Sequence, residues 1–301
     1  MKNEMPSFEE LIPEEENIEK EGEPLKTARE QADDYLENFE FVKEEEIIRI
    51  NPENPKSEMP VFFSPGWGVT ETSKSIMEAI GDEGRKVIST FFTREEKIVN
   101  NGEKEDIPIA ELQKALAIIE TIEKSGVDKV DAIGHSEGGL NLVIAASLYP
   151  EKFRNIVLIA PAGMMKNDSY LNLVKRFTID ETFEEVKKSD KININSFYSY
   201  LKDVFRHVLK NPILSNKEIK AMTQMDIFEM TKQLKEKGVG VGLVCGAYDK
   251  VFPIEEVIKN ADRNNIDCFL PTKGHHGSAV FDKEYITLAE NLLDNMARKK
   301  E

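Results

Sequence analysis

From Pro60 onward, short apolar runs of strand length alternate with longer stretches in which apolar residues recur every three or four positions. Val61 to Ser64 is the first run, and it stops at Pro65-Gly66-Trp67-Gly68 before a helical segment from Thr72 to Ile80. Lys86 to Phe92 predicts a second strand. Leu112, Leu116, Ile119 and Ile122 then fall at helical spacing until Gly126 ends the helix. Lys129 to Ile133 predicts a third strand, Leu140, Val143, Ala146 and Leu148 mark the next helix, and Asn155 to Ala160 follows as a fourth strand. Strands that take turns with helices predict an α/β fold with a mostly parallel central sheet and helices on both faces.

The alternation lapses after Pro161 for about 75 residues that read as helical. Phe197, Leu201, Val204, Phe205, Val208 and Leu209 define one apolar face there, and Asp226 to Lys237 predicts another helix. Strands resume at Val239 to Cys245 and Ile266 to Leu270, and a helix carrying Tyr285, Leu288, Ala289, Leu292, Leu293 and Met296 closes the chain. An α/β core over residues 26–162 and 239–301, with a helical cap inserted over 163–238, is therefore expected. Upstream, residues 26 to 40 read as a helix and Phe41 to Ile50 as a strand with acidic residues on one side.

Charge changes the picture at the front end only. The chain has 301 residues, 40% hydrophobic and 32% charged, the balance of a globular protein, and a net charge of −16. Residues 1 to 60 hold 19 acidic and 7 basic side chains. Within them, residues 1 to 25 combine Glu-rich runs with Pro6, Pro13 and Pro24, too little apolar surface to offset ordering, so a mobile acidic tail is expected. The acidity argues against nucleic acid as a partner. No window approaches 18 consecutive apolar residues, which argues against integral membrane association. The start MKNEMPSFEE lacks a basic then apolar leader, and Cys245 and Cys268 are too few for a disulfide framework; a cytoplasmic location with two buried thiols is expected.

Candidate chemistry centres on Gly134-His135-Ser136-Glu137-Gly138-Gly139, between an apolar strand and an amphipathic helix. A serine on a sharp strand-to-helix turn projects its hydroxyl above the sheet, and small residues two positions either side let the backbones approach. The helix that begins beside Ser136 aims free N–H groups at any oxyanion forming there, which favours acyl transfer. A serine hydroxyl needs an imidazole to take its proton and a carboxylate to orient that imidazole. Parallel strands all end on one sheet edge, so the loops after late strands supply candidates. Gly246-Ala247-Tyr248-Asp249-Lys250-Val251-Phe252-Pro253 offers the acid, and Lys273-Gly274-His275-His276-Gly277 offers two competing histidines.

These four segments, with Phe63-Ser64-Pro65-Gly66-Trp67-Gly68, resemble the nucleophile elbow, acid turn, histidine loop and oxyanion loop of the α/β-hydrolase fold superfamily, over roughly residues 40 to 300. Carried over by position, the resemblance implies a catalytic triad of Ser136 as nucleophile, Asp249 as orienting acid and His275 as general base, since the family's Gly-His order points to the first histidine. It further implies an oxyanion hole from the backbone N–H groups of Glu137 and Trp67. The chain departs from the family in having Pro65-Gly66 where His-Gly is frequent. The activity implied is a serine esterase or lipase-like enzyme acting on a small to medium acyl ester, needing no metal or organic cofactor. Thioesterase, lactonase, peptidase and C–C hydrolase chemistry share this triad, and a hydrolase-fold receptor for a small ligand is the alternative of a different class. Ser136 at the nucleophile position disfavours dehalogenases and epoxide hydrolases, which place an aspartate there.

Plainer roles exist for each residue. Asp249 also suits a helix cap, and Trp67 suits loop packing. His135 is expected to point away from the site and pack, His207 to be solvated, and four histidines without ligand spacing to hold no zinc. Phe177, Phe183, Phe197 and Tyr200 are expected in the core of the cap, each a candidate for lining an acyl pocket.

Overall fold

The computed structural model describes residues 26–68, 71–92, 97–98, 107–165, 168–181, 194–261, 265–277 and 283–300, with the side chains of 71–73 and 194–201 left out. The expected acidic tail, residues 1–25, lies outside them. Seven strands form one sheet in the order β1-β3-β2-β4-β5-β6-β7: β1 Ile47–Ile50, β2 Ser57–Ser64, β3 Arg85–Thr90, β4 Val130–His135, β5 Phe153–Ile159, β6 Gly240–Gly246 and β7 Cys268–Thr272. Only β1 runs antiparallel, against β3; every other pairing is parallel. The expected sheet is thus present, with one strand shortened. Phe41 to Glu46 does not join β1, because Phe41 and Val42 give their N–H groups to the Glu120 carboxylate and bury their side chains instead.

Helices α1 Ala28–Asn38, α2 Glu71–Asp82, α3 Ile109–Lys124 and α4 Glu137–Leu148 surround the sheet, and α10 Lys283–Arg298 closes it. α1 starts with a capping box in which the Thr27 side chain accepts from the Glu30 N–H while the Glu30 carboxylate accepts from the Thr27 N–H. α10 and α2 pack on one face, while α3 and α4 pack together on the other. Between β5 and β6 come α5 Tyr170–Lys175, continued by a π-helical turn Arg176–Asp180, then α6 Ile194–Lys210, α7 Pro212–Gln224 and α8 Phe228–Glu236. α6 packs on α2 and α7 on α3, so these helices sit over the core as a cap. α8 does not: it lies against α4 and β6 as the crossover helix into β6, so the cap ends earlier than residue 238. A further helix, α9 Ile254–Asn260, follows the turn after β6.

The cap explains where helical periodicity misleads. In α3 the polar residues Glu111, Gln113 and Lys114 are buried alongside Leu112, Leu116 and Ile119, because α7 covers the side that periodicity assigns to solvent. Cys245 is buried on β6 and Cys268 half-buried on the adjacent β7, both as free thiols.

The turn from β4 into α4 is set by backbone proximity. A Cβ on Gly138 would stand 2.2 Å from the Ser64 carbonyl oxygen and 2.4 Å from that of Pro65, and one on Gly134 would stand 2.7 Å from the Gly138 oxygen. The neighbours in each case are backbone, which cannot step aside as a rotamer can. Gly138→Ala is therefore expected to cost at least about 3 kcal/mol, read as a drop in thermal midpoint or as loss of folded protein; a melting curve matching the native one would show that the turn tolerates more separation.

Candidate active site

Ser136 caps α4 at the end of β4 with φ 55° and ψ −122°, a conformation that costs a non-glycine residue about 1–3 kcal/mol. Its backbone is held from three sides: its N–H donates to the Ile159 carbonyl at 2.9 Å, and its carbonyl accepts from Gly139 at 3.0 Å and Ala162 at 3.1 Å. The strain aims the hydroxyl off the sheet edge. There Ser136 Oγ lies 3.1 Å from His276 Nε2, and His276 Nδ1 lies 2.9 Å from Asp249 Oδ2. Asp249 also accepts the Phe252 N–H at 2.8 Å through its other oxygen, so the carboxylate is fixed in its turn while it faces the ring. All three side chains are buried.

The expected pairing with His275 is corrected by this geometry. The chain after β7 is pinned at Gly274, whose carbonyl accepts the Tyr248 N–H at 3.1 Å and where a Cβ would stand 2.0 Å from Tyr285 Oη. From that anchor the two neighbouring side chains diverge. His275 lies beside the Tyr248 ring, 5.6 Å between centroids, and His276 turns to Ser136. A Gly-His order cannot distinguish these outcomes, since which residue faces the elbow is set by long-range packing, including that of Gly274 on Tyr285.

Among the other histidines, His135 packs as expected, but close by. Its ring is 5.0 Å from that of His276, its Nε2 is 3.3 Å from the His276 carbonyl oxygen, and Gly66 leaves it room. Burial first, and then the positive charge that His276 can carry, push its pKa down to about 3. His207 is not solvated: its Nε2 is 3.0 Å from Glu218 Oε2, and its ring meets Trp67 edge-on at 5.1 Å.

Two carboxylates from the cap reach the site, and sequence reasoning missed both. Glu181, which ends the π-helical turn, accepts the N–H of His276 at 2.5 Å, of Gly277 at 3.3 Å and of Lys250 at 2.9 Å. Burial and the nearby Asp249 charge raise its pKa. Glu218, on α7, accepts from Trp67 Nε1 at 2.8 Å and pairs with Lys114 at 2.9 Å; despite burial, Lys114 and His207 hold its pKa well below the usual range. Lys114 also donates to Glu137 Oε1 at 2.6 Å. The side chains of Trp67 and Glu137, the two residues whose backbone N–H groups are the oxyanion-hole candidates, are thus tied to one buried Lys114–Glu218 pair. Nothing local in the sequence marks these partners, which join α3, α4, α7 and the loop after β2.

Beside Ser136 opens a cavity of about 750 Å³ lined almost wholly by apolar groups, among them Trp67, Phe177, Val208, Met222, Val251 and Phe252. Phe177, expected in the core of the cap and a candidate for lining a pocket, lines this cavity. Phe183 lies outside the described residues, as do the side chains of Phe197 and Tyr200. Among the described residues, no helix is long and apolar enough to cross a membrane.

Comparison with known proteins agrees with this architecture. Residues 68–179 match the family model for the alpha/beta hydrolase fold. No curated protein matches the chain. Among solved structures, a bromoperoxidase from Bacillus anthracis shares 15% identity at a TM-score of 0.58, over 82% of this chain and 93% of that one. A structure from a study of carboxylesterases of the thaumarchaeon Nitrososphaera gargenis shares 15% at 0.59, over 86% and 100%. A meta-cleavage product hydrolase from Pseudomonas fluorescens shares 15% at 0.57, over 85% and 94%. The chain has the α/β-hydrolase fold.

Two outcomes are expected from the histidines. Labelling of Ser136 by a fluorophosphonate probe falls by at least about 100-fold in His276→Ala and by less than about 10-fold in His275→Ala, by gel fluorescence time courses; the reverse order would restore His275. Because His135 stays neutral in the folded chain down to about 3 while an unfolded histidine protonates near 6.5, its contribution to stability is present above 6.5 and is lost as pH falls from there toward 3. His135→Gln is expected to flatten that part of the pH–stability curve in urea titrations, and an unchanged slope would contradict it.

Proposed function

We propose that the protein is a serine hydrolase that cleaves small to medium acyl esters through an acyl-enzyme, with Ser136 as nucleophile, His276 as general base and Asp249 as the acid that orients it. One observation carries the assignment: a serine, imidazole and carboxylate in hydrogen-bonded series at 3.1 and 2.9 Å, opening onto an apolar cavity. His276 Nε2 takes the Oγ proton as Oγ attacks the ester carbonyl, and the Asp249 carboxylate stabilises the imidazolium while remaining ionised. The imidazolium then gives its proton to the departing alkoxide. Water, deprotonated by the same ring, releases the acid and regenerates Ser136.

The oxyanion of each tetrahedral intermediate is assigned to the backbone N–H groups of Glu137, at the first turn of α4, and Trp67. One such donor typically contributes about 10²–10³ in rate. The Glu137 carboxylate would oppose an oxyanion beside it, and Lys114 at 2.6 Å offsets that charge. The cavity's size falls within the usual range for small-ligand sites, and its apolar lining suits the hydrocarbon part of an acyl chain better than a peptide, whose amides would lose hydrogen bonds there.

Turnover of p-nitrophenyl esters is expected to rise in kcat/KM from acetate to butyrate and hexanoate, by roughly threefold or more per two carbons, and to be absent in Ser136→Ala. A native chain that neither hydrolyses any member of the panel nor takes up a fluorophosphonate would overturn the assignment.

A further inference from the structure

Glu181 makes a connection that a helix end has no local need for. Its carboxylate comes from the cap, is buried, and accepts N–H groups from both loops that carry the histidine and the acid: Lys250, next to Asp249, on one oxygen, and His276 with Gly277 on the other. Without it the buried N–H groups of His276 and Gly277 would lose this acceptor, as would the part-buried N–H of Lys250. The adjoining Arg176 adds a second tie, its Nε donating to the Val251 carbonyl at 2.8 Å while its other arm pairs with Asp168. The two loops follow the adjacent strands β6 and β7 and are joined near their bases by the Ala247 N–H on the Thr272 carbonyl and the Tyr248 N–H on the Gly274 carbonyl. Glu181 adds a tie further out, at His276 itself and one residue from Asp249, where the precision a proton relay needs is set.

We propose that Glu181 is a positioning residue of the triad: a carboxylate delivered by the cap that holds the histidine loop and the acid turn in register, so that the imidazole is set for proton transfer only while this part of the cap is seated. This rests on the serine-hydrolase reading for its rate consequences, though not for its electrostatic ones. Among the described residues, the charged and titratable groups around His276 include Asp249 on the acid turn, Glu181 from the cap, and His135 and Ser136 on the elbow, with Phe252 edge-on at 5.3 Å. Two carboxylates therefore contact His276, Asp249 at ring Nδ1 and Glu181 at the backbone N–H. Burial and the Asp249 charge raise the Glu181 pKa while a positive His276 lowers it, so an ionised Glu181 and the imidazolium stabilise each other.

The test is Glu181→Gln, which keeps shape and removes charge. In the otherwise native chain, kcat for p-nitrophenyl butyrate is expected to fall about 10- to 100-fold with KM within about threefold, and the acid limb of kcat/KM to move lower by about one pH unit. Glu181→Asp, which restores the charge on a shorter arm, is expected to recover the acid limb and part of kcat. Glu181→Gln is also made on a Ser136→Ala background and the His276 ring titrated by NMR, where a fall of about one pH unit is expected. That measurement needs no substrate, so a failure of the ester assay alone counts against the hydrolase reading and leaves the placement of Glu181 to the titration. An unchanged His276 titration, or a kcat per folded molecule unchanged while only the thermal midpoint falls, would overturn the proposal. Should Glu181→Gln not fold, Glu181→Asp with an unaltered kcat would do the same.

Discussion

α4 approaches the end of β2 so closely that Gly138 packs on the carbonyls of Ser64 and Pro65 without room for a methyl group. The rest of the site depends on it. Because the helix starts so near the neighbouring strand, the chain must reverse at Ser136 in a strained conformation, and the reversal lifts the hydroxyl clear of the sheet. The same approach sets the loop after β2 beside the first turn of α4, which puts Trp67 and Glu137 on the same edge as Ser136. Strain at one residue is sustained by ordinary hydrogen bonds on both flanks, to β5 and to the turn after it.

The sheet brings Ser136, His276 and Asp249 to one edge, and the helices inserted between β5 and β6 reach them there. Their two inward carboxylates serve opposite sides of the elbow. Glu218 engages the Trp67 indole, His207 and, through Lys114, the Glu137 side chain. Glu181 engages the loops of Asp249 and His276. Both are buried, where an unpaired charge is costly, so each contact is one that the cap loses only by exposing or stranding an ion. A cap tied at two such points is less a cover than a part of the site, and the apolar cavity beneath it is bounded by side chains from both layers.

Histidine placement illustrates how tertiary packing outranks local pattern. His275 and His276 are equivalent by sequence position, by strand-end context and by chemistry. The choice between them is made by Gly274 lodged on Tyr285, a residue of the closing helix, and by Glu181 holding the His276 N–H from the cap. His207 tells the same story: read along its helix it belongs to solvent, yet Glu218 and Trp67 occupy the space beside it.

The sheet, its crossover helices and the inserted helices were legible because apolar periodicity reports what each segment buries, and a buried strand or helix face is a local property of ten residues. The elbow serine and the turn aspartate were legible for a related reason: glycine spacing and strand ends constrain the backbone within a few positions. What the sequence left open was every relation between segments that share no neighbourhood along the chain. The identity of the facing histidine, the buried Lys114–Glu218 pair, the reach of Glu181 and the burial of α3's polar side all arise where the cap meets the core, and long-range packing alone decides which side chains meet across that boundary.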